Sequence, residues 1–481
     1  MKQLLISAGP LETRVALLEA GRPAEFYVER PGRASLVGNI YKGRVENVLA
    51  GMEAAFVDIG LDRNGFLFVD EVVSPELKPG RHQKISDLLQ GGKEVLVQVV
   101  RDPMGNKGPR LSTQIGFAGR YSVFLPAAKA CGVSRRLSGD ERERLRRVCR
   151  ELGDTGGGLI VRTAAEGADA QAIARELRFQ QKMWARIERQ AAATRAPSLV
   201  FAEADLAMRS LRDLLGPEFG AVIVDDETVR RRLANYLGAI APELAGRVEL
   251  YDGVVPLFER YGLETQMKKA LSRRVELPSG GYIVIDHTEA MTVIDVNTGR
   301  YVGRRQLEET TLRTNVEACR EVVRQLRLRD IGGIIVIDFI DMTVRGNQEA
   351  VLKALEAELQ QDRTKTYVVE ISPLGLVEMT RQNTSRGLRE VVTMPCPTCN
   401  GDGRVMSEES VLIDVERRLR AMAVLAPGAG LRVELHPRIV ERLLAGRRSL
   451  LVRLEEGTGR RIMPQPAGDG VPLEHLAVVS D

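Results

Sequence analysis

The sequence predicts a multidomain protein of mixed α/β and β structure, with a small β-barrel inserted into an α/β scaffold. The chain has 481 residues, which is enough for several domains. Two apolar strands within residues 282–341 flank a helical pattern, which is typical of a parallel sheet. Short strands with glycine turns fill residues 38–100, as in a small barrel.

Residues 282–341 are predicted to form a strand, a crossover helix and a second strand. The first strand covers residues 292–297, and the second is the apolar run 334–337 followed by Asp338. Between them, apolar side chains recur at helical spacing at Leu312, Val316, Cys319, Val323 and Leu326. Because strands joined by a crossover helix are parallel, their carboxyl ends lie at the same edge of the sheet. Asp295 and Asp338 are therefore expected to meet there.

Oxygen-bearing side chains at this edge indicate a magnesium site. Asp295 and Asn297 are two residues apart on one strand, so they project from the same face. Carboxylates with no nearby histidine or cysteine suit Mg²⁺, which can polarise a phosphoryl oxygen. Phosphodiester hydrolysis is then the expected reaction class. The alternative is structural, since aspartates at strand ends often cap helices or form turns.

Composition and charge are those of an ordinary folded protein, with 44% hydrophobic and 28% charged residues. The net charge is only +4, so any nucleic-acid site must come from local clustering of the 69 Lys and Arg. No stretch approaches the roughly 20 apolar residues that span a bilayer, and the N-terminus lacks a signal-peptide core. We expect a cytoplasmic protein that makes no membrane contact.

Residues 1–34 are predicted to form three strands joined by glycine and proline turns. Three strands cannot close a core alone, so they need a partner from later in the chain. The apolar strand at 221–224 is the predicted partner. We therefore treat residues 1–34 plus 207–270 as one scaffold domain.

Residues 35–113 are predicted to form the inserted barrel. Phe56 and Phe66 are candidates for stacking on RNA bases, a contact worth about 1–3 kcal/mol per base. The alternative is that both rings pack in the barrel core.

Residues 114–206 contain a long helical pattern at 171–193 and, before it, Arg162 and Thr163 at a strand end. A guanidinium with a neighbouring hydroxyl can hold a terminal phosphate through two parallel hydrogen bonds. The alternative is that Arg162 is merely solvated.

The two aspartate-bearing strands belong to a domain predicted over residues 271–392. Three arginines near its end, Arg381, Arg386 and Arg389, are candidates for contacts with a nucleic-acid backbone. They could equally be solvated.

Five cysteines, an odd number, argue against a disulfide framework. Cys131, Cys149 and Cys319 lie among apolar or helical neighbours and are expected to be inert.

Cys396 and Cys399, followed closely by glycines, have the spacing of a zinc-knuckle turn within a link at 393–407. Structural zinc takes four ligands, and the sequence has no second such pair. A tetrathiolate shared by two chains is therefore predicted, with a redox-active pair as the alternative.

Residues 408–481 are predicted to form a small C-terminal α/β domain. Its elements are expected to be a helix at 411–422, a strand at 431–435, a helix at 437–445 and a strand at 450–454.

Long strings of residues resemble the ribonuclease E/G family over nearly the whole chain. The strings that carry the resemblance are 38–45, 161–167, 285–292, 295–299, 324–329 and 337–342. The resemblance implies an S1 (OB-type) RNA-binding barrel, an RNase H-like scaffold, a 5′-sensor region, a DNase I-like catalytic domain and a zinc link.

The resemblance also implies roles for single residues. Asp295 and Asp338 match positions that bind catalytic Mg²⁺, with Asn297 assisting. The RNA-contacting positions of the barrel are matched by Phe56, Phe66 and Lys107. The pocket for a 5′-monophosphate is matched by Gly119, Val123, Arg162, Thr163 and Lys365. Lys365 stands where the ribonuclease E branch has an arginine, and a lysine is a point charge rather than a fork.

These features predict a Mg²⁺-dependent endoribonuclease that cuts single-stranded RNA and prefers a 5′-monophosphate end. The resemblance implies ribosomal RNA precursors and messenger RNA as substrates, products with a 5′-phosphate and a 3′-hydroxyl, and a homodimer or a tetramer made of two such dimers. A non-catalytic RNA-binding factor is one alternative, disfavoured by Asp295 and Asp338. A nuclease for DNA is another, disfavoured by the resemblance.

Overall fold

The computed structural model describes residues 1–73, 84–103, 107–153, 155–216, 218–299, 307–372, 374–382, 386–425, 430–445, 449–468 and 470–479. The chain forms two compact units, Met1–Val392 and Thr393–Asp481.

The strands of the larger unit are β1 Lys2–Ala8, β2 Thr13–Glu19, β3 Arg22–Glu29, β4 Ile40–Leu49, β5 Ala54–Asp58, β6 Gly65–Phe68, β7 Glu94–Arg101, β8 Arg110–Ser112, β9 Phe117–Ala118, β10 Ser122–Leu125, β11 Cys131–Val133, β12 Gly158–Val161, β13 Ser198–Phe201, β14 Phe219–Val224, β15 Val248–Leu250, β16 Arg274–Glu276, β17 Tyr282–His287, β18 Met291–Asn297, β19 Gly333–Asp338, β20 Thr366–Ile371 and β21 Leu376–Arg381. Its helices are α1 Ile85–Leu88, α2 Gly139–Glu151, α3 Ala170–Ala193, α4 Leu206–Leu214, α5 Glu227–Ile240, α6 Pro242–Ala245, α7 Leu257–Arg260, α8 Leu263–Lys269, α9 Leu307–Arg329, α10 Arg345–Leu359 and α11 Leu388–Val392.

The first sheet of the larger unit has the strand order β15-β14-β1-β2-β3. Strand β1 pairs antiparallel with β2 and parallel with β14. The three N-terminal strands therefore pair with a strand more than 200 positions later in the chain. This confirms the prediction that the strand at 221–224 completes the sheet of residues 1–34.

A second sheet closes on itself to form a barrel. Its order is β13-β4-β5-β6-β8-β7, and β4 also pairs with β7. Side chains alternate along β5 and β6, so that Val57 and Leu67 are fully buried in the barrel core. The alternate positions point outwards and are available to a ligand.

The third sheet, β11-β12-β10-β9, packs against the long helix α3. Here the expectation that Cys131 and Cys149 are inert was wrong, because the structure joins them in a disulfide. Strand β11 and helix α2 bring their Cα atoms to 6.3 Å, a normal bridging distance. An odd cysteine count therefore did not exclude one intramolecular bond. Cys319 is buried and free, as expected.

The fourth sheet has the order β16-β17-β18-β19-β21-β20. Strands β18 and β19 are parallel and joined through α9, which confirms the predicted strand–helix–strand unit. Helices α9 and α10 pack on one face of the sheet, where Ile294 and Ile337 are fully buried. The other face carries the alternate residues of β18 and β19.

Two buried ion networks hold the fourth sheet and its helix in place. Arg327, near the end of α9, pairs with Glu19 and Glu25 of the first sheet at 2.9 Å each. Arg381 is 5% exposed and pairs with Asp330 and Asp362. The two roles considered for Arg381, RNA contact and solvation, were therefore both wrong, because its guanidinium is buried between two carboxylates.

The smaller unit contains β22 Leu431–Leu435, β23 Ile462–Pro466 and β24 Leu476–Val478 with helices α12 Glu408–Leu425, α13 Pro437–Leu444 and α14 Leu450–Thr458. Its sheet has the order β23-β22-β24. The strand predicted at 450–454 is wrong, since this segment begins α14. The Ser449 hydroxyl accepts a hydrogen bond from Val452 N at 3.3 Å, and this cap favours the helix over an apolar strand.

Within the parts of the chain that the structure describes, none of the helices has the length and apolar character needed to cross a membrane.

Candidate active site

Asp295 and Asp338 lie directly opposite each other on neighbouring parallel strands. The pairing register of β18 and β19 ends with Asp295 beside Asp338. Neighbouring strands lie about 4.8 Å apart, so both carboxylates reach the same small volume. Both side chains are exposed, on the face opposite to the helices. The structure thus brings together the two residues that the sequence pattern predicted to meet.

The site has an excess of negative charge. Partial burial raises the pKa of Asp338 above its usual value, and the charges of Asp295 and Asp341 raise it further. No basic side chain of the described residues contributes an opposing effect on that carboxyl group. Asn297 donates a hydrogen bond from Nδ2 to Oδ2 of Asp295 at 2.8 Å, which orients this carboxylate.

This donor set fits a divalent cation. Two adjacent carboxylates that repel each other gain stability when a cation lies between them. Mg²⁺ commonly takes one or two carboxylates and keeps several waters, so the pair is sufficient. In the described part of the chain, no cluster of three or more His, Cys, Asp or Glu is suited to a metal. The pair therefore resembles a Mg²⁺ site more than an all-protein cage.

Two further aspartates lie near the site. Asp286 on β17 pairs with Arg273, which indicates a structural role. Asp341 differs, since its charge acts on Asp338. Asp341 comes three residues after Asp338 in the loop that leaves β19, and nothing in its local sequence distinguished it from an ordinary loop aspartate.

On the barrel, Phe56 and Phe66 form a pair on the outer surface. They lie opposite each other on β5 and β6, with ring centroids 5.9 Å apart in an edge-to-face arrangement. Both are half-buried, while their strand neighbours fill the core. Core packing, the alternative weighed for these rings, therefore does not describe them.

Lys107 lies in the segment before β8 and is exposed. The next residue, Gly108, passes so close to the chain before β6 that a side chain there would overlap the carbonyl oxygen of Asn64. This close approach holds Lys107 next to the start of the strand that carries Phe66. An aromatic pair with an adjacent cation is suited to a single-stranded nucleic acid.

Arg162 follows β12 and is held from two sides. Its Nη1 donates to the carbonyl oxygen of Gly119 and to Oδ1 of Asp213, the latter at 2.7 Å. Its backbone N–H donates to the carbonyl oxygen of Tyr121 at 2.8 Å. Arg162 is therefore not a freely solvated arginine, since protein acceptors fix the position of its guanidinium.

The other residues predicted for the pocket lie on elements next to this arginine or next to its partner Asp213. Thr163 is exposed, and its hydroxyl lies 2.9 Å from that of Ser134. Val123 lies on β10, next to β12. Lys365 is exposed, two residues after Arg363, whose Nη1 donates to the carbonyl oxygen of Leu214 at 3.1 Å. The segment from Arg363 to Lys365 is thus held beside the end of α4. The same helix carries Asp213, which accepts a hydrogen bond from Arg162.

Cys396 and Cys399 lie in a turn at the start of the smaller unit, and neither forms a disulfide. The N–H of Gly403 donates to the sulfur of Cys399 at 3.3 Å, which is the kind of contact that favours a thiolate ligand. Helix α12 begins only at Glu408, so the pair is not at the start of a helix as in a thioredoxin-type redox site. Two thiols provide half of a tetrahedral zinc site.

Comparison with known proteins identifies the family. The model of the "Ribonuclease E/G family" matches residues 116–384. Ribonuclease G of Salmonella typhimurium and of Escherichia coli are each 41% identical over 471 residues, covering 96% of this chain and 96% of theirs. The chain belongs to the ribonuclease E/G family. Ribonuclease E of Escherichia coli is 41% identical over 433 residues, covering 88% of this chain and 41% of that protein.

A second model of the ribonuclease E/G family, described as a thioredoxin-like domain, matches residues 395–475. From the sequence, this region is predicted to contain a zinc link and a separate α/β domain. The match covers both, in agreement with the single compact unit Thr393–Asp481.

Two residues next to the pocket of this ribonuclease E/G chain were missed from the sequence. Asp213 ends an ordinary amphipathic helix, and no sequence signal distinguishes it. Glu176 lies on the apolar face of α3 between Ile173 and Leu177, and it is 1% exposed. A carboxylate on the buried face of a helix was a weak signal that could have singled out Glu176.

Proposed function

We propose that this chain is a Mg²⁺-dependent endoribonuclease that cuts single-stranded RNA and prefers a 5′-monophosphate end. Membership of the ribonuclease E/G family makes it an endoribonuclease. The observation that carries the metal-dependent mechanism is the opposed pair Asp295 and Asp338 at the carboxyl ends of β18 and β19. We place its action in ribosomal RNA maturation and messenger RNA decay in the cytoplasm.

Asp295 and Asp338 would hold the metal, and Asn297 keeps Asp295 oriented through its hydrogen bond. When bound, Mg²⁺ polarises a phosphoryl oxygen and lowers the pKa of a coordinated water. The exposed sheet face leaves room for an RNA strand to lie across the carboxylates. Cleavage in this arrangement leaves a 5′-phosphate and a 3′-hydroxyl.

The barrel supports binding of single-stranded RNA. Phe56, Phe66 and Lys107 would together contact the RNA, which would let a chain with a net charge of only +4 hold a polyanion. The pocket around Arg162 would take the 5′-phosphate, with Gly119, Val123, Thr163 and Lys365 around it. Lys365 would contribute charge without the two-pronged geometry of an arginine.

The cysteine turn would link two chains. Cys396 and Cys399 of each chain would supply the four thiolates of one structural Zn²⁺, so the functional species is a homodimer. Two such dimers could pair further into a tetramer.

The activity is tested with a labelled single-stranded RNA that carries a 5′-monophosphate, beside its 5′-hydroxyl twin and a DNA of the same sequence. We expect cutting of both RNAs with Mg²⁺, faster for the monophosphate, and none with EDTA. Addition of excess Mg²⁺ to the EDTA-treated enzyme should restore cutting. Equal rates for the two RNAs would contradict the end preference, and cutting of DNA at the RNA rate would favour the DNA-nuclease alternative.

Replacement of Phe66 by alanine tests the role of the barrel. We expect RNA binding to weaken by about 1–3 kcal/mol, because one stacking surface is lost. Fluorescence anisotropy with a short labelled RNA measures this. Phe201, half-buried on β13 and packed edge-to-face on Phe117 at 6.0 Å, provides the matched aromatic control. Equal affinity of F66A and wild type would exclude Phe66 from the RNA path.

A further inference from the structure

The turn of residues 119–122 is fixed by a single buried carboxylate. Oε1 of Glu176 accepts a hydrogen bond from Arg120 N at 2.6 Å. Its Oε2 accepts from Tyr121 N at 2.8 Å, from Ser122 N at 2.9 Å and from the Ser122 hydroxyl at 3.0 Å. All four donors belong to three consecutive residues.

Burial of this carboxylate has a cost that the four donors offset only in part. Burial raises the pKa of Glu176, and the hydrogen bonds from the turn act in the opposite direction. A buried charge is tolerated only when its hydrogen bonds are satisfied, and here one short segment satisfies them all. An apolar side chain at this position of α3 would leave three backbone N–H groups of the turn without this acceptor, so packing alone does not account for a glutamate.

Gln180, one helical turn after Glu176, holds the same segment. Its Nε2 donates to the carbonyl oxygens of Phe117 at 3.0 Å and of Ser122 at 3.2 Å. A side chain at Gly119 would overlap both the Glu176 carboxylate and the Gln180 amide. The turn therefore lies directly on these two side chains, and glycine is the residue that permits this approach.

The turn 119–122, held by Glu176 and Gln180, in turn fixes the position of Arg162. The carbonyl oxygens of Gly119 and Tyr121 accept hydrogen bonds from the guanidinium and the backbone N–H of Arg162. Among the described residues, Gly119 and Asp213 accept from Nη1 of the guanidinium, and its remaining N–H groups are left for a ligand. Glu176 is thus connected to Arg162 through the backbone of the turn and the hydrogen bonds on either side of it.

We propose that Glu176, together with Gln180, is a positioning residue for recognition of the RNA 5′-phosphate, because it fixes the turn 119–122 that aims Arg162. This inference rests on the proposed preference for a 5′-monophosphate. Glu176 touches neither the RNA nor the metal. It acts on the geometry of the pocket, so its loss should change the discrimination between RNA ends and leave the cutting step itself intact.

The test compares wild type with Glu176→Gln on the 5′-monophosphate and 5′-hydroxyl RNAs. The amide keeps the shape but presents N–H groups to N–H donors. We expect the ratio of kcat/KM for the two RNAs to fall about tenfold or more, the size of losing one hydrogen bond to a charged group. The change should lie in KM for the monophosphate RNA, with the 5′-hydroxyl RNA cut as by wild type.

Ser122→Ala provides a second variant that leaves the carboxylate in place and removes one hydroxyl donor. It should lower the same ratio by a smaller factor. Glu188→Gln, an exposed position on the same helix, should leave the ratio at the wild-type value. Equal loss on both RNAs in Glu176→Gln, with an unchanged ratio in Ser122→Ala, would make Glu176 merely structural and overturn the inference.

The result separates this inference from the proposed function. If wild type itself cuts both RNAs equally, the end preference fails and Glu176 has no discrimination to support. If wild type prefers the monophosphate and both variants keep that preference, only the positioning role fails.

Discussion

Replacement of Asp338 by asparagine is expected to abolish RNA cutting while RNA binding survives. The change removes one of two opposed carboxylates on β18 and β19, and with it the negative charge that would hold a cation. Metal assistance is worth several kcal/mol of transition-state stabilisation, and about 1.4 kcal/mol corresponds to tenfold in rate, so the loss should reach roughly 10³-fold or more. Single-turnover cutting and anisotropy with the same RNA measure the two properties separately.

Asp286→Asn is the matched control for this experiment. Asp286 lies on the neighbouring strand β17 and pairs with Arg273 at the surface, an interaction worth at most about 1 kcal/mol. Cutting by this variant should equal that of wild type. Undiminished cutting by D338N would exclude the pair as the catalytic site. Loss of RNA binding together with cutting would instead favour a non-catalytic RNA-binding role for these residues.

Replacement of Cys396 by serine is expected to remove bound zinc and separate the dimer. One chain has a mass of 53.0 kDa and offers two thiols in its exposed turn, so four ligands require two chains. Wild type should contain one zinc per two chains, and C396S should contain none and elute as a species of half the mass. Metal analysis and light scattering after gel filtration measure both quantities.

Cys131→Ser removes an exposed cysteine of the larger unit and opens its disulfide with Cys149, so it is the control for loss of a cysteine outside the turn. It should leave zinc content and mass unchanged. One zinc per chain, or a C396S protein that keeps the wild-type mass, would contradict a shared tetrathiolate. A disulfide between Cys396 and Cys399 in the purified wild type would favour the redox alternative.

Local patterns in the sequence were sufficient where one segment determines its own geometry. The apolar strand ending in Asp338, the helical spacing before it and the strand carrying Asp295 predicted a parallel pair with both carboxylates at one edge. The register of β18 and β19 has this arrangement. Strand alternation likewise predicted that Asp295 and Asn297 share a face, and they are hydrogen-bonded. Hydrophobic periodicity and the strand–helix–strand connection each lie within one continuous segment, so both can be recognised from the sequence alone.

These patterns could not predict ion-pair or disulfide partners that are distant in the sequence. Arg381 is neutralised by Asp330 and Asp362, the latter 19 positions away, and its local sequence is that of a surface arginine. Cys131 and Cys149 meet because α2 folds back on β11. Residues 450–454 form a helix where an apolar run suggested a strand, because a serine cap outweighed the pattern.

The sequence by itself predicted the chemistry that we propose for this protein, from two aspartates at strand ends, an aromatic pair on a barrel and a cysteine turn. The tertiary structure alone decided how Arg162 is held, through Asp213 on α4 and Glu176 on α3, each more than ten positions away in the chain. The physical reason is that the identity of a functional group depends only on which residue occupies that position. Its orientation depends on hydrogen bonds between segments, and these exist only after the chain has folded.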